Sequence, residues 1–567
     1  MKKTVLTISA LVLALSMSAQ SMSDGLMFSR NNYVGTARSM AMGNAFTALG
    51  GDLGGITINP AGSAVAPYSQ VTLSPGLNIS VSTTQGQPYK DQPLSYFQRR
   101  MRNTNTTFTM PNLGFSLNWD TYASRGLKSF TFSFLSNQTQ IYNERTYANG
   151  TNNRTSFMGS LAENAHLDGF LGGDLGNNDS WDGAPWNYVA AMQGWLIAPF
   201  GPGKEGEGDL FMGSTEQQLK GNNKVIPGEL DQYFGRERFG YKNDYTFNFG
   251  LNFNDRVWAG VNLNINSLEF NSLEYIKEAA VDPNDFGLEY QENLPDGTPG
   301  PLIQDYFIEG KLTNTLRTYG MGFSAKFGVI WNAWKGLRVG AAIQTPTWNK
   351  LTDEWTTDAI SYFDKGKHQA ESPRGKYSYR FREPMRANFG LAYVFGSRGL
   401  ISVDYELAAY DQMKFSAYDA FSEEFNYTNE DIKEFTGIGH SLRIGGEVKV
   451  LPSLALRAGY NFLTPGEYGF NESGRKTELK AYTHDIGFGI GYSSKKSFFA
   501  DLGCKGTFYN TEYILPYRDY VYMKDTETGD YIYDADGYLI PDENFMVPEI
   551  KNVRSNWKVV LTLGWRF

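Results

Sequence analysis

Few side chains in this sequence are placed to break or form covalent bonds. The chain of 567 residues holds four histidines and one cysteine, Cys504, and their spacing does not match a zinc site. Nucleophilic catalysis needs a Ser and a His held by a third, orienting residue. The neighbouring candidates are His440-Ser441 and His484-Asp485, and alternation along the chain places both histidines on the outward face of predicted strands. The sequence therefore predicts no catalytic residue, no metal site and no cofactor.

Three arginines at the start of one predicted strand are better placed to bind an anion. Arg380, Arg382 and Arg386 share one parity, which predicts that all three face the interior. They are candidate partners of a ligand carboxylate, because a guanidinium offers a bidentate fork. The inward set of this and other strands carries both signs of charge, namely Lys326, Arg338, Arg386, Asp404, Glu406, Arg443, Glu447, Lys449 and Arg457. Such charges either pair with one another and with an interior plug, or meet an anionic headgroup.

A second candidate ligand site lies in the segment 144–240, which is otherwise rich in Gly and Asn. It contains an apolar cluster that includes Trp181, Trp186, Tyr188, Trp195, Leu196 and Phe200. An apolar concavity with a few polar groups is the usual form of a small-molecule site. The cluster therefore predicts a ligand groove, and the alternative is a small core that this long segment needs for itself.

These residues are positioned by a repeated strand pattern. From Trp557 to Phe567 every odd position is apolar, whereas the even positions include Lys558, Thr562 and Arg566, which is the period-2 alternation of a strand. The same alternation predicts fourteen strands, at 71–81, 113–119, 130–134, 245–253, 257–265, 319–331, 337–345, 387–395, 401–409, 442–450, 454–462, 486–492, 498–504 and 557–567.

The connections between these strands alternate between short turns and long loops. An even number of strands with one short-turn end and one long-loop end is typical of a transmembrane barrel, which satisfies its backbone hydrogen bonds within lipid. After the first twenty residues the sequence has no apolar run of the ~18 to 20 residues that a membrane helix needs. We therefore predict an all-β, 14-stranded antiparallel transmembrane β-barrel. The formal net charge of −9 argues against nucleic acid as a partner.

The N-terminus predicts export and an interior plug. Residues 1–19 have a positive start, an apolar core from Val5 to Leu15 and small residues at Ser18-Ala19, which is typical of a signal peptide; the apolar core is too short for an anchor helix. Residues 20–67 lack strand alternation and are predicted to be a hatch in the barrel lumen, with one short helix from about Ala37 to Leu49. Residues 68–567 form the predicted barrel.

Several motifs resemble the FadL-type outer-membrane transporters of long-chain fatty acids and hydrocarbons. They are Gly35-Thr-Ala-Arg38, Gly43-Asn-Ala-Phe46, Asn59-Pro60-Ala61-Gly62, Met110-Pro111-Asn112, Gln344-Thr-Pro-Thr347, Arg382-Glu383-Pro384 and the aromatic C-terminal strand. The resemblance implies a 14-stranded barrel closed by an N-terminal hatch. It also implies that Asn59, Pro60 and Ala61 contact a kink in the third strand, at 126–143, through which a hydrophobic ligand leaves sideways into the membrane.

The third strand has an anomaly of its own. Phe130, Phe132 and Phe134 share one parity, whereas Leu135 and Ile141 take the other. A phase slip of one residue is what a β-bulge produces, although bulges also serve only to curve a strand. On this reasoning Phe134, Leu135 and Ser136 are the candidate gate beside the hatch motif.

The sequence thus predicts a passive, monomeric, non-enzymatic transporter of a hydrophobic small molecule in the outer membrane of a Gram-negative bacterium. Outer-membrane lipid surrounds it, and the outer-membrane assembly machinery is expected to recognise the C-terminal Phe567. An open porin would leave the hatch unexplained, and an outer-membrane lipase would need the catalytic set described above. An adhesin or structural barrel that binds a surface partner through its long loops is the main alternative.

Overall fold

A computed structural model describes residues 20–87, 97–204, 207–218, 224–293, 298–418, 423–470, 476–494, 497–524, 531–534 and 537–567. The predicted signal peptide, 1–19, lies outside the described residues. None of the described helices is both long enough and apolar enough to cross a membrane.

The wall is a closed antiparallel barrel of fourteen strands, as predicted. The strands are β1 Gln70–Gln87, β2 Met101–Asp120, β3 Leu127–Asn152, β4 Leu230–Phe253, β5 Val257–Ala280, β6 Pro299–Trp334, β7 Leu337–Gln344 with Trp348–Phe363, β8 Gly375–Arg382 with Arg386–Val394, β9 Gly399–Ala409 with Lys414–Ser416, β10 Ile438–Leu451, β11 Leu454–Leu463, β12 Thr483–Ser493, β13 Phe498–Phe508 with Glu512–Ile514, and β14 Glu549–Arg566. The ladder between β1 and β14 closes the barrel, from Gln70 opposite Arg566 to Gln87 opposite Glu549.

The two faces of the wall are the reverse of those of a soluble sheet. Outward side chains are apolar and exposed, as at Leu77, Phe249 and Leu561, while the inward neighbours Asn78 and Asn248 are buried and polar. A lipid-facing apolar band around a polar interior is the pattern of a membrane barrel. Along each strand, period-2 alternation produces this division.

The barrel has unlike ends. At one end strands are joined by tight turns, such as the one through Asn254 and Asp255, whose φ angles are 56° and 54°. At the other end the strands continue far past the length needed to cross a bilayer, and β6 alone has 36 residues. The strands are longer than predicted because beyond the apolar band both faces become polar and the alternation disappears from the sequence.

The connection between β3 and β4 folds over the long-loop end. It contains helices α3 Phe157–Leu167, α4 Gly172–Gly176, α5 Ser180–Gly183 and α6 Trp186–Gln193, and short strands Ile197–Gly201, Leu210–Gly213, Gln217–Gln218 and Lys224–Val225. Its apolar residues share one cluster with Phe234, Phe307 and Phe363 of the extended β4, β6 and β7. We call this connection the cap. Other loops carry helix α7 Asn426–Phe435 and the strands Gly287–Asn293, Lys367–Glu371, Tyr468–Phe470 and Lys476–Glu478.

The residues 20–67 lie against the inner face of the wall, and we call them the hatch. They contain helices α1 Met22–Ser29 and α2 Ala37–Ala41 and two 3-10 turns, Gly54–Thr57 and Pro60–Val65. The predicted helix from Ala37 to Leu49 is wrong in length, because Gly43 and Asn44 take left-handed φ angles of 63° and 60° that end it early.

Glycines on the wall allow this close packing. A Cβ added to Gly445, Gly459, Gly487 or Gly503 of β10 to β13 would lie 2.2 to 2.7 Å from backbone atoms of the hatch. Contacts under 3.0 Å require something to shift, so any larger residue there would push the hatch away.

Candidate functional site

The wall is interrupted between β2 and β3. Residues Asn112–Asp120 of β2 pair with Ser129–Asn137 of β3, and the ladder stops at Asn112. From that point β2 continues to Met101 paired with β1, and β3 continues to Asn152 paired with β4. The two strands therefore separate, and each has a free edge towards the other.

Polar contacts mark both limits of this interruption. At the lower limit the Asn112 amide donates to Asn137 Oδ1 at 2.6 Å. At the upper limit the side chains of Asn105 and Asn143 are hydrogen-bonded to each other. We call the space between them, bordered by 106–111 of β2 and 138–142 of β3, the wall gap. On its outer border Phe108 is 67% exposed.

A bulge begins the departure of β3 from the wall. The register between β3 and β4 shifts between Gln138 and Gln140, so Thr139 is the extra residue; it is buried, and its hydroxyl donates to the Lys242 carbonyl at 3.2 Å. A bulge bends a strand and increases its twist. On β2, Pro111 has no N–H to donate, which ends the ladder on the opposite side.

Beyond the bulge, polar contacts hold β3 against the inner face of β1 and β14. Glu144 accepts hydrogen bonds from Arg236 Nη2 at 2.8 Å and from Arg554 Nη1 of β14 at 2.5 Å. Thr146 lies 3.4 Å from the Ser82 hydroxyl of β1 and accepts from the Asn552 amide of β14 at 3.3 Å. These bonds draw the upper part of β3 inward and keep it away from β2.

The predicted slip therefore exists, but the position given for it is wrong. Leu135 keeps the inward parity of Ser133 and Asn137, and the phase changes only at Gln138–Gln140. Leu135 is apolar because it packs, fully buried, against Leu53 and Ile56 of the hatch. The other two candidate gate residues lie on the outer side: Phe134 contacts Phe247 at 5.1 Å between ring centroids, and Ser136 is half-buried.

The Asn-Pro-Ala motif is placed elsewhere than the resemblance implies. Asn59 Nδ2 donates to the Thr47 carbonyl of the hatch at 2.6 Å and to the Val329 carbonyl of β6 at 3.1 Å, while Oδ1 accepts from the Ala61 N–H at 3.1 Å. The Pro60 carbonyl accepts from Asn248 of β4 at 2.9 Å. The motif thus lies against β4 to β7.

Other hatch residues make the contact with the third strand. Leu53 and Ile56 pack on Leu135, and the Ser63 hydroxyl lies 2.9 Å from that of Thr131. Asn59, Pro60 and Ala61 fix the hatch on one side of the barrel, so that the hatch's apolar face meets β3 below the wall gap. The hydrogen bonds of the motif thus go to the hatch itself and to β4, β6 and β7, while Leu53, Ile56 and Ser63 contact β3.

A cavity of about 100 Å³ lies inside the barrel on the long-loop side of the hatch. Its lining includes Arg30 of the hatch, Gln140 of β3, Tyr410, Asp485 and Tyr509. Because Gln140 follows the bulge, the cavity reaches the strand that borders the wall gap.

The inward charges mostly pair with one another and with the hatch. Glu406 accepts from Arg386 Nη1 at 2.9 Å and from Arg443 Nη2 at 2.6 Å. Arg386 also donates to the Ser29 carbonyl of the hatch. Arg338 donates to Leu49 O at 2.7 Å, Lys326 to Thr57 O at 2.6 Å, and Arg38 and Arg457 bind Glu447. Of the two alternatives left open by the sequence, these contacts favour a network between wall and hatch.

The three candidate arginines do not share a face, which corrects the prediction. Arg386 is inward and paired as above, whereas Arg380 is exposed and Arg382 half-exposed on the outer surface. Glu383, Pro384 and Met385 lie outside the strand and interrupt β8, so parity cannot be carried across them. Arg380 and Arg382 are therefore not partners of a ligand within the lumen.

The cap gives its aromatic residues fixed neighbours. Tyr188 and Leu196 are buried in its core, and the Tyr188 hydroxyl donates to Asp168 at 2.7 Å. Burial is the main cause that raises the Tyr188 pKa, and the negative charge of Asp168 raises it further. Trp181 and Trp195 pack at the edge of this core, Trp186 lies 5.6 Å from Trp355, and Phe200 is half-buried. These contacts favour a core that the cap needs for itself, with a half-exposed aromatic margin.

The two histidines lie in the outer aromatic zone. His440 Nδ1 and Tyr405 Oη are 2.7 Å apart, as are His484 Nδ1 and Tyr460 Oη. Ser441 is buried on the opposite face, hydrogen-bonded to Asn461. Within the part of the chain that the structure describes, neither His440 nor His484 is hydrogen-bonded to a serine.

Two inward residues that the sequence did not single out carry unpartnered polar atoms at the level of the wall gap. Asn78 of β1 lies directly opposite both Thr107 of β2 and Lys558 of β14. Within the described part of the chain, neither the Asn78 amide nor Lys558 Nζ has a hydrogen-bond partner, although both side chains are buried. A Lys on an inward position of an apolar strand was the available sequence signal.

No model of a protein family matches this sequence, and no curated protein matches it. Among solved structures it is similar to a FadL homologue of Pseudomonas aeruginosa, with 10% identity and a TM-score of 0.47. It is also similar to the toluene transporters TbuX of Ralstonia pickettii and TodX of P. putida, with 13% and 12% identity and TM-scores of 0.44. Each comparison covers 94% of this chain and 99% of the other.

Proposed function

We propose that this protein is a passive outer-membrane channel for hydrophobic small molecules, which captures its ligand at the cap and releases it sideways through the wall gap. The observation that carries the proposal is the separation of β2 from β3 beside a hatch that occupies the lumen. A buried hatch argues against a water-filled porin. A wall opening has no evident use in an adhesin, whose loops alone would be needed.

The height of the wall gap supports lateral release. Phe108 on its border is directly opposite Leu77 of β1, and Leu77 is directly opposite Val559 of β14. Leu77 and Val559 belong to the outward apolar face. The opening therefore lies at the level of the lipid-facing band. An apolar ligand passing through it would avoid water, because apolar surface is more stable in contact with lipid than with water.

The unpartnered polar atoms favour a ligand with an acidic end. Lys558 Nζ and the Asn78 amide face the lumen beside the gap, and a carboxylate would accept hydrogen bonds from both. We propose that Lys558 distinguishes a fatty acid from a hydrocarbon. Lys558→Met is expected to weaken binding of the acid about tenfold, or ~1.4 kcal/mol, and to leave binding of a hydrocarbon of equal length unchanged. Equal weakening of both ligands would refute this assignment.

Deletion of Thr139 tests lateral release. Without the extra residue, β3 can continue in regular alternation along β4 and return towards β2, while Tyr142 and Glu144 keep their inward parity. We expect the deletion variant to bind a fluorescent long-chain fatty acid in detergent but to lose transfer of it into membranes. Thr139→Ala keeps the bulge and is the matched control. Transfer at the wild-type rate by the deletion variant would contradict the proposed route.

Binding tests the capture site. The variant Trp186→Ala with Trp195→Ala removes two half-exposed rings of the cap, while Trp334→Ala removes an exposed ring at the short-turn end. We expect saturable binding of the fluorescent acid to weaken in the first variant alone, with hexadecane and haem as competitors that rank ligand classes. Folded wild-type protein that binds none of these ligands would favour an adhesin or structural barrel.

A further inference from the structure

A cationic groove lies on the outer surface of the barrel, across β6 to β9. Its apolar part is formed by Met321, Phe323 and Trp348, and its charged part by Lys350, Arg380, Arg382 and Lys414, with Tyr418 beside them. The groove is open and has a volume of about 700 Å³. Among the described residues that line it, none is acidic. We call it the outer groove.

The cations of the outer groove stand in like-charged pairs. Lys350 is directly opposite Arg380 on the neighbouring strand, and Arg382 is directly opposite Lys414. Like charges in directly opposed positions destabilise a sheet. Across the described residues none of the four forms an ion pair with a carboxylate. The pairs therefore have an unfavourable interaction that a bound anion would reverse.

Neutral partners hold these cations in place without neutralising them. Arg382 donates to the Gln412 carbonyl at 3.0 and 3.2 Å. Lys350 Nζ and the Arg380 guanidinium lie 5.2 and 5.0 Å from the ring centroid of Tyr418. This cation–π arrangement orients two charges towards the same space and leaves their positive potential available.

The outer groove crosses the edge of the lipid-facing band. Phe323 is directly opposite Trp348, and one outward step further towards the long loops Met321 is opposite Lys350. On the other side of Phe323, the outward residues Phe327 and Val329 continue the apolar band. Aromatic residues mark the boundary between hydrocarbon and headgroups in membrane proteins. The cations thus lie at the headgroup level on the long-loop side.

We infer that the outer groove binds an anionic, phosphate-bearing lipid of the surrounding membrane. Arg380 and Arg382 offer bidentate forks to phosphate, Lys350 and Lys414 add point charges, and acyl chains lie on Phe323 and Trp348. The apolar part is continuous with the lipid-facing surface, which favours a lipid over free phosphate. The inference rests on the membrane placement in the proposed function and is independent of the ligand route.

Lipid retention tests the inference. Purified protein is mixed with diphosphorylated lipid A in mild detergent, and bound lipid is counted by native mass spectrometry. Lys350→Gln with Arg380→Gln removes one cation from each of two paired strands. Its matched control, Lys365→Gln with Arg374→Gln, removes one Lys and one Arg that are exposed outside the groove. We expect affinity to fall about tenfold in the groove variant and to remain unchanged in the control. Equal retention in both variants would overturn the inference.

Stability gives a second readout that a folding defect would not imitate. In zwitterionic phosphatidylcholine the groove variant should be at least as stable as wild type, because it loses a repulsion. Addition of lipid A should then stabilise wild type and not the variant. Displacement of lipid A by an equal concentration of inorganic phosphate would overturn the assignment to a lipid. No ligand for transport is present in these measurements, so a failed transport proposal would leave their outcome unaffected.

Discussion

The substitution Glu406→Gln should destabilise the barrel strongly. Within the described residues, Glu406 is the only acid hydrogen-bonded to Arg386 and Arg443, and all three side chains are at most 5% exposed. The amide would leave two buried guanidinium groups without a hydrogen-bonded counter-charge. Removing one partner of a buried ion pair typically costs ~3 to 5 kcal/mol. We expect the lower end, ~3 kcal/mol, because Arg386 keeps the Ser29 carbonyl as a neutral partner.

Urea unfolding from lipid vesicles measures this cost. With a slope of ~3 kcal/mol per M, the midpoint should fall by about 1 M. The control is Glu467→Gln, which breaks the ion pair between Arg30 and Glu467. The Arg30 side chain is 43% exposed and that of Glu467 22%, and exposed pairs contribute ~0 to 1 kcal/mol. A triple variant, Glu406→Leu with Arg386→Met and Arg443→Met, should recover most of the lost stability, since none of these three buried positions then carries a charge. The reasoning is refuted if Glu406→Gln is no more destabilising than Glu467→Gln.

Three further predictions address the hatch, the loops and assembly. Gly445→Ala should expose the hatch to protease, because the new Cβ would lie 2.3 Å from the Met42 carbonyl, whereas the Cβ of Gly446→Ala would make only an ordinary contact, 3.8 Å from the Leu400 carbonyl, and should not. Burial raises the pKa of Asp519 to about 6 from 3.8, so the protonated carboxyl contributes to stability fully below pH ~4, and this contribution is lost as pH rises through ~6. Hydrogen exchange of the loop that contains Asp519 should show this pH dependence, and Asp519→Asn should remove it. Phe567→Ser should lower the yield of inserted barrel, measured in membrane fractions.

Most of the wall could be predicted because alternation is a local property. The strand from Trp557 to Phe567 and the hairpin at Asn254-Asp255 show their faces and turns within ten or so residues of sequence. Fourteen such segments fixed the number of strands. Local pattern also located the slip in β3 to within a few residues, since Phe134 and Ile141 are both outward on a strand whose phase changes between them.

The site could not be predicted as fully, because its geometry depends on distant residues. Leu135 breaks the local pattern through its contact with Leu53 and Ile56, more than 75 residues earlier. The orientation of Arg380 depends on where β8 is interrupted, and the sequence Glu383-Pro384-Met385 does not specify how many residues leave the strand. The partners of Asn59 are backbone carbonyls, which no side-chain motif can indicate.

The division of contacts within the hatch suggests how ligand could affect the wall gap. Asn59 and Pro60 fix the hatch to β4, β6 and β7 through hydrogen bonds. Towards β3 the hatch makes two kinds of contact: the hydrogen bonds of Ser63 with Thr131, at 2.9 Å, and of the Asn32 N–H with the Thr139 carbonyl, at 2.7 Å, and the apolar contact of Leu53 and Ile56 with Leu135. An apolar ligand can replace the apolar contact at little cost, because apolar packing is not directional. A buried hydrogen bond, in contrast, leaves an unsatisfied group when it breaks. Displacement should therefore begin at Leu53 and Ile56, next to the wall gap, while the Asn-Pro-Ala side of the hatch stays in place.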